Sequence, residues 1–290
     1  GTDTPTFNAN QVVIYKNEAN DFVINSGNVI MASVKVFDIR GRLLLEREVD
    51  TITNVMHSPE RPLMAIVGGA KIADKLDVLN RFIEIADFVA VGGAMANTFL
   101  AAKDIPIGDS LYDKTEISVA KEIMKKADQE SEKRRFIFAI PHDGVVANRI
   151  DKKEPTRIVD WSTHVIADIE NYPKRVPSSV GTIKTHEKIL DIGPFSASFI
   201  AGGIQLSNTV VWNGTMGVTE TDGLQGPIGP YAHGTELVIE ALLGDFGHKP
   251  FTVVGGGDTV GYVQERKLVG SFGHVSTGGG ASLEALVDKK

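Results

Sequence analysis

Lys71 and Lys75 stand four residues apart directly after Gly68-Gly69, and Asp258 follows Gly255-Gly256-Gly257. Two ammonium groups and one carboxylate, each set against a glycine turn, suit a polyphosphate that carries a divalent cation. Glycines let backbone N–H groups approach an anion, and the cations offset its charge. Gly92-Gly93-Ala94-Met95 and Gly278-Gly279-Gly280-Ala281 repeat the pattern. None of these fits the P-loop, in which four spacer residues precede Gly-Lys-Ser/Thr, or the dinucleotide fingerprint. Each residue also has an ordinary reading. Lys71 and Lys75 fit solvated lysines sharing one helix face. Asp258 fits an N-cap as well as an Mg²⁺ ligand. A single Gly-Gly pair fits a tight strand-to-helix loop, but four such runs are harder to explain by loop geometry alone.

The elements that must position these groups alternate in type. Residues 63–67, 88–91, 136–140, 209–212 and 251–254 are short apolar runs, the pattern of strands buried on both faces. Ile72, Leu76, Leu79 and Ile83 recur at helical spacing, and residues 94–102, 236–243 and 282–287 also read as helices. The Lys/Glu-rich residues 121–135 read as a solvated helix face. This alternation predicts an α/β fold: a Rossmann-like three-layer parallel sheet with helices on both faces. In such a sheet all strand C-termini lie on one edge, so the glycine turns could converge there on one ligand. Residues 151–191 show no clear period. Residues 1–57 differ, with short alternating runs punctuated by Asn, Asp and Gly, and Gly41 in a hairpin turn. They predict a small antiparallel β unit ahead of an α/β domain over residues 58–290, the boundary falling near Pro59 and Pro62.

Composition excludes several classes. The 290 residues are 42% hydrophobic and 23% charged, enough to bury a real core. A net charge of −7 argues against a nucleic-acid partner. There is no cysteine, hence no disulfide, thiolate metal site or Cys nucleophile. No run approaches the roughly 20 apolar residues of a membrane span, and the Gly-Thr-Asp start, with no basic or apolar stretch, carries no expectation of a signal peptide in these residues. His142, His164, His186 and His248 are scattered without ligand spacing.

Taken together, the strings 68–75, Trp212-Asn213-Gly214, 255–259 and 274–282 resemble, in order and spacing, the signature of phosphoglycerate kinases. Gly92-Gly93-Ala94-Met95, residues 107–111, Ile140-Pro141 and Asp191-Ile192-Gly193-Pro194 resemble it too. The resemblance covers about residues 58–284 and implies the ATP/ADP-binding half of an enzyme that transfers a phosphoryl group between ATP and 3-phosphoglycerate. It implies that Gly69, Ala70, Lys71 and Lys75 hold the phosphates, with Lys71 near the group in flight. Gly92, Gly93, Leu111 and Ile140 would form the adenine slot, with Gly217 and Val218 also at the nucleotide. Asn213 would face the phosphate chain and Glu220 the ribose hydroxyls. Asp258 would hold Mg²⁺, with Gly256, Gly257 and Thr259 beside the phosphates. Gly278, Gly279 and Gly280 would offer N–H groups to the transferring phosphoryl.

The sequence also departs from the family pattern. Thr215 stands where the family usually has Pro, and Thr219 where it has Phe before the acid. The basic half that binds 3-phosphoglycerate has no counterpart, and the C-terminus reads as shortened, so the chain alone is expected to turn over weakly or not at all. The alternative is a non-catalytic nucleotide module on a β interaction unit. Residues 15–49 weakly resemble the β-sandwich sorting domains of type IX secretion, with Asn17-Glu18-Ala19-Asn20-Asp21 at the motif position but without its prolines. The chain is expected to be cytoplasmic on the kinase resemblance, and at the surface or secreted on the sorting one. The kinase family is usually monomeric, and surface left uncovered by a missing half would favour self-association.

Overall fold

The computed structural model describes residues 13–16, 22–25, 58–161 and 182–276. The chain divides into two units, Gly1–Asp50 and Thr51–Lys290. In the first, β1 (Val13–Lys16) and β2 (Phe22–Asn25) pair antiparallel, with Ile14 opposite Ile24. The other strands expected there, and most of the sorting-domain likeness, fall outside the described residues.

The second unit begins with β3 (Leu63–Val67), a 3-10 turn (Ala73–Lys75), helix α1 (Leu76–Ile85) and β4 (Phe88–Val91). Helix α2 (Gly93–Ala102), helix α3 (Ile117–Lys133) and β5 (Ile137–Ala139) follow. Next come β6 (Asp143–Ala147), β7 (Arg157–Asp160) and β8 (Lys188–Ile192). The chain then runs through α4 (Pro194–Gln205), β9 (Thr209–Asn213), α5 (His233–Leu243), β10 (Phe251–Gly255), α6 (Gly257–Glu265) and β11 (His274–Val275). The main sheet has the order β11-β10-β9-β3-β4-β5, with every pair parallel. No helix among the described residues is long and apolar enough to cross a membrane.

Apolar side chains on alternate strand residues explain the layers. Leu63, Ala65 and Val67 point to one face, where they pack with Phe82 of α1, Phe99 of α2 and Ile123 of α3. Met64 and Ile66 point to the other, against Ile200 of α4, Leu242 of α5 and Val263 of α6. A strand covered on both sides cannot alternate polar with apolar, which is why β3 reads Leu-Met-Ala-Ile-Val. The three-layer expectation therefore holds for the described residues.

A second sheet has no counterpart among the elements expected from the sequence. Strands β6, β7 and β8 form an antiparallel sheet in the order β7-β6-β8; β7 and most of β8 fall within the stretch that lacked a clear period, and β6 precedes it. The sheet is attached to the rest both by backbone bonds, such as Val218 N–H to Leu190 O at 2.9 Å, and by side chains. Asp143 at the start of β6 accepts hydrogen bonds from Phe195 N (2.9 Å), Ser196 N (2.8 Å) and Ser196 Oγ (2.6 Å), supplying partners to the first turn of α4.

The expected helix through Lys71 and Lys75 also differs. Lys71 precedes the 3-10 turn and Lys75 is the cap of α1, so the two do not share an α-helical face. The cause lies 43 to 44 residues downstream in Glu116, buried at the start of α3. Its two carboxylate oxygens accept the N–H groups of Ile72 and Ala73, both at 2.8 Å, and so hold this segment in a tight turn rather than an α-helix.

Candidate functional site

The C-terminal edge of the main sheet is where the glycine turns meet. Gly68 N–H donates to Asn213 O (2.8 Å), Gly92 N–H to Val67 O (3.0 Å), Gly93 N–H to Met216 O (3.0 Å) and Met95 N–H to Gly69 O (2.9 Å). The turns after β3, β4 and β9 are thus stitched into one surface. Backbone lies directly on backbone there: a Cβ on Gly68 would come 2.1 Å from Thr215 O, and one on Gly214, whose φ is +109°, 2.2 Å from Gly68 C and O. Glycine at these two positions is required by the contact between turns.

A cavity of about 250 Å³ opens on this surface. Gly69, Ala70 and Asp258 lie along it, as do Gly93, Leu111, Gly217, Val218 and Glu220. Strand β8 and the residues after β9 form one wall, and Asn97 and Leu100 of α2 another. The N-terminus of α2 opens on the cavity through Gly93 and Ala94, bringing the positive end of its helix dipole to the site. Helix α6 brings Asp258, an exposed carboxylate in its first turn. No side chain caps α6, whose N-cap is Gly256, so Asp258 is not acting as the N-cap.

The remaining expected residues are placed as follows. Lys75 Nζ donates to Asn213 Oδ1 at 2.9 Å, joining the turn after β3 to the end of β9. Lys71 is exposed one turn earlier. Thr259 is wholly buried and its hydroxyl accepts the Gly214 N–H at 2.6 Å, so it acts on the site by holding the Trp212-Asn213-Gly214 turn. Trp212, also wholly buried, donates Nε1–H to Gly214 O at 2.8 Å and fixes the same turn from below. Gly92 packs on Met216, and Ile140 packs against the core on the α1–α3 face, leaving Pro141 at the cavity. Gly257 is exposed beside Asp258. Gly278, Gly279 and Gly280 lie outside the described residues.

Two groups had no role assigned to them from the sequence, although Asp191 falls in one of the strings singled out there. Asp191, on the cavity wall, is buried, and its carboxylate accepts from Ile192 N and Gly234 N at 2.8 Å each. Burial pushes its pKa well above the usual carboxylate range, against the pull of these amides. It faces the start of α5 and serves to anchor that helix. Glu116 is the other. With its carboxylate gone, two N–H groups lose their partners in a largely water-free place. We expect Glu116→Ala to cost about 3 kcal/mol in urea unfolding, and to weaken any ligand held by the Lys71–Lys75 turn.

A second, wider concavity of about 1260 Å³ lies at the opposite edge, beside Arg61, Phe88, Phe199 and Leu206. No glycine turn or helix N-terminus converges on it. Among the described residues no group of three His, Asp or Glu side chains stands ready to hold a metal ion by itself. The first cavity therefore offers what an anion needs: helix N-termini, Lys188 on its wall with Lys75 beside Gly69, and one exposed carboxylate able to meet a cation that the anion brings.

Comparison with known proteins identifies the family. The family model for phosphoglycerate kinase matches residues 24–289, beginning inside the stretch read as a separate β unit. The phosphoglycerate kinase of Moorella thermoacetica is 37% identical over 246 residues, covering 85% of this chain and 54% of that protein. That of Lactiplantibacillus plantarum is 35% identical over 266 residues, 92% of this chain and 57% of the relative. The structure of phosphoglycerate kinase from Coxiella burnetii superposes with a TM-score of 0.71 at 29% identity, over 85% of this chain and 55% of that one. This chain spans about half the length of the curated relatives it matches. On the extent of the family match and the identity to these relatives, the chain belongs to the phosphoglycerate kinase family.

Proposed function

We propose that this chain is the Mg-ATP/ADP-binding half of a phosphoglycerate kinase-type phosphotransferase, which moves a phosphoryl group between ATP and 3-phosphoglycerate. The observation that carries the reading is the single cavity running from Leu111 and Val218 to Gly69, Ala70 and Asp258. Its length has an apolar end for a base and a glycine-lined end for phosphates. Glu220, exposed at the cavity, is placed to accept from ribose hydroxyls.

Phosphoryl transfer asks little covalent work of a protein, and much positioning and charge neutralisation. Lys75, held by Asn213, supplies a fixed positive charge beside the phosphate end. The N-termini of α2 and α6 supply backbone N–H groups. A magnesium ion fits the donor set, because such ions are commonly held by one or two carboxylates with phosphate oxygens and water completing the shell. Asp258 would be its protein ligand, and when bound the ion would offset charge on the phosphates. Gly278, Gly279 and Gly280 belong to the same reading on sequence resemblance alone.

The match to half the length of its relatives favours a division of labour. We infer that the acceptor acid is bound by groups outside these 290 residues, and that proximity of the two substrates supplies much of the rate once both halves are present. A coupled assay with ATP, Mg²⁺ and 3-phosphoglycerate tests this. The chain alone should bind nucleotide yet turn over at a small fraction of a full-length relative's rate. Full turnover would refute the division, and absence of nucleotide binding would refute the reading itself. The same half-length match supports the second reading, a nucleotide-binding module without catalysis, which predicts no turnover even when an acid-binding half is added.

A further inference from the structure

Trp161 is the aromatic side chain on the cavity wall, and no motif drew attention to it. It follows β7 directly, and its backbone N–H donates to His142 O at 3.2 Å. Its indole N–H donates to Pro141 O at 2.9 Å, which fixes the ring's rotation. The six-membered part of the ring rests on Gly144 in the middle of β6. A Cβ there would fall 2.8 Å from Cη2 and 3.0 Å from Cζ3, so the glycine is what makes room for the ring. Ile189 of β8 packs nearby, with its Cγ2 3.1 Å from the same position. A glycine inside a fully buried strand weakens it, and here its use is to seat an aromatic ring.

The result is an immobilised indole, half-buried, bordering a cavity whose other walls are aliphatic or polar. Its polar atom is already satisfied by Pro141 and part of the side chain packs against the cluster of Val146, Val159 and Ile183, so the part bordering the cavity is apolar ring surface. Stacking on such a surface suits any flat heteroaromatic ring and favours larger ones. It sits beside Pro141 and Ile189, on different elements from Lys75 and Asp258, which belong to the turns after β3 and β10.

We propose that Trp161 is the stacking platform for the nucleobase in this chain, and that it sets a preference for purine over pyrimidine nucleotides. This rests on the nucleotide reading above. The platform holds the base by area and orientation, leaving the phosphate end unaffected.

Calorimetric titration of the full chain with Mg-ADP, Mg-CDP and Mg-tripolyphosphate tests it, alongside Trp161→Leu and Trp161→Phe. Trp161→Leu should weaken Mg-ADP by about tenfold, narrow its advantage over Mg-CDP, and leave Mg-tripolyphosphate unchanged. Trp161→Phe should retain most of the ADP affinity. In the parent, ADP should also quench tryptophan emission, since the other tryptophan, Trp212, is buried and hydrogen-bonded. In Trp161→Phe that quench should vanish while binding persists. Equal ADP affinity in Trp161→Leu and the parent would overturn the platform while leaving the nucleotide reading intact. A parent that binds neither ADP nor tripolyphosphate would overturn both.

Discussion

Gly214→Ala should lower the stability of the second unit by about 3 kcal/mol, combining left-handed backbone strain with overpacking. The added methyl would lie 2.2 Å from the Gly68 carbonyl, and Gly68 is itself pinned by its N–H bond to Asn213. Neither partner is a flexible side chain that could swing aside. Two backbones must separate, which breaks the seam between the β3 and β9 turns. For a unit of this size the loss corresponds to a fall in Tm of about 6–12 °C. Gly261→Ala is the matched control. It lies inside α6, nothing stands within 4 Å of the position its Cβ would take, and alanine is the better helix former. That variant should be neutral or slightly more stable. Equal Tm values for the two variants would contradict the packing explanation of the glycine turns.

Asp258→Ala should weaken Mg-ADP binding by about 100-fold or more while barely changing stability. Loss even of outer-shell partners of a metal typically costs 10–100-fold in affinity, and a direct ligand should cost at least the upper figure. The carboxylate is exposed, caps no helix and forms no ion pair among the described residues, so the fold loses little without it. In the presence of a chelator, parent and variant should bind ADP with similar weak affinity, because the contribution of Asp258 runs through the ion. An equal loss with and without magnesium would assign Asp258 a direct role toward the nucleotide instead.

The parts of the fold legible in sequence are those where one local pattern answers to one environment. Strands β3, β4, β9 and β10 are largely buried on both faces, and each shows an apolar run, interrupted in β10 by Thr252, closed by glycine or by Asn-Gly. The second sheet was not legible, because β6, β7 and β8 are four or five residues each and pair across a long separation, Ala147 with Lys188 for example. Helical spacing from Ile72 to Ile83 hid a 3-10 turn, since what bends it is a carboxylate 43 to 44 residues away in sequence.

The site was legible as types of residue more than as roles. The glycine runs pointed to the correct sheet edge for β3, β4 and β10. What could not be read is that Gly68 and Gly214 are small for each other, or that Thr259 is spent on Gly214 N–H. Glu116 and Trp161 belong to no motif, and their importance exists only once distant strands and turns are brought together. Gly144 offered a faint signal, a glycine inside a β-type run, of the kind that marks close approach by another group.

The central claim is that one sheet edge, and not the other, encloses a nucleotide. Amide chemical-shift mapping of the full chain with Mg-ADP tests it most directly. The account predicts that shifts concentrate at Gly69, Ala70, Gly93, Val218 and Asp258, while amides around Phe88, Ile137 and Leu206 at the opposite edge stay still. Shifts gathered at that opposite edge, or none at saturating Mg-ADP, would contradict it.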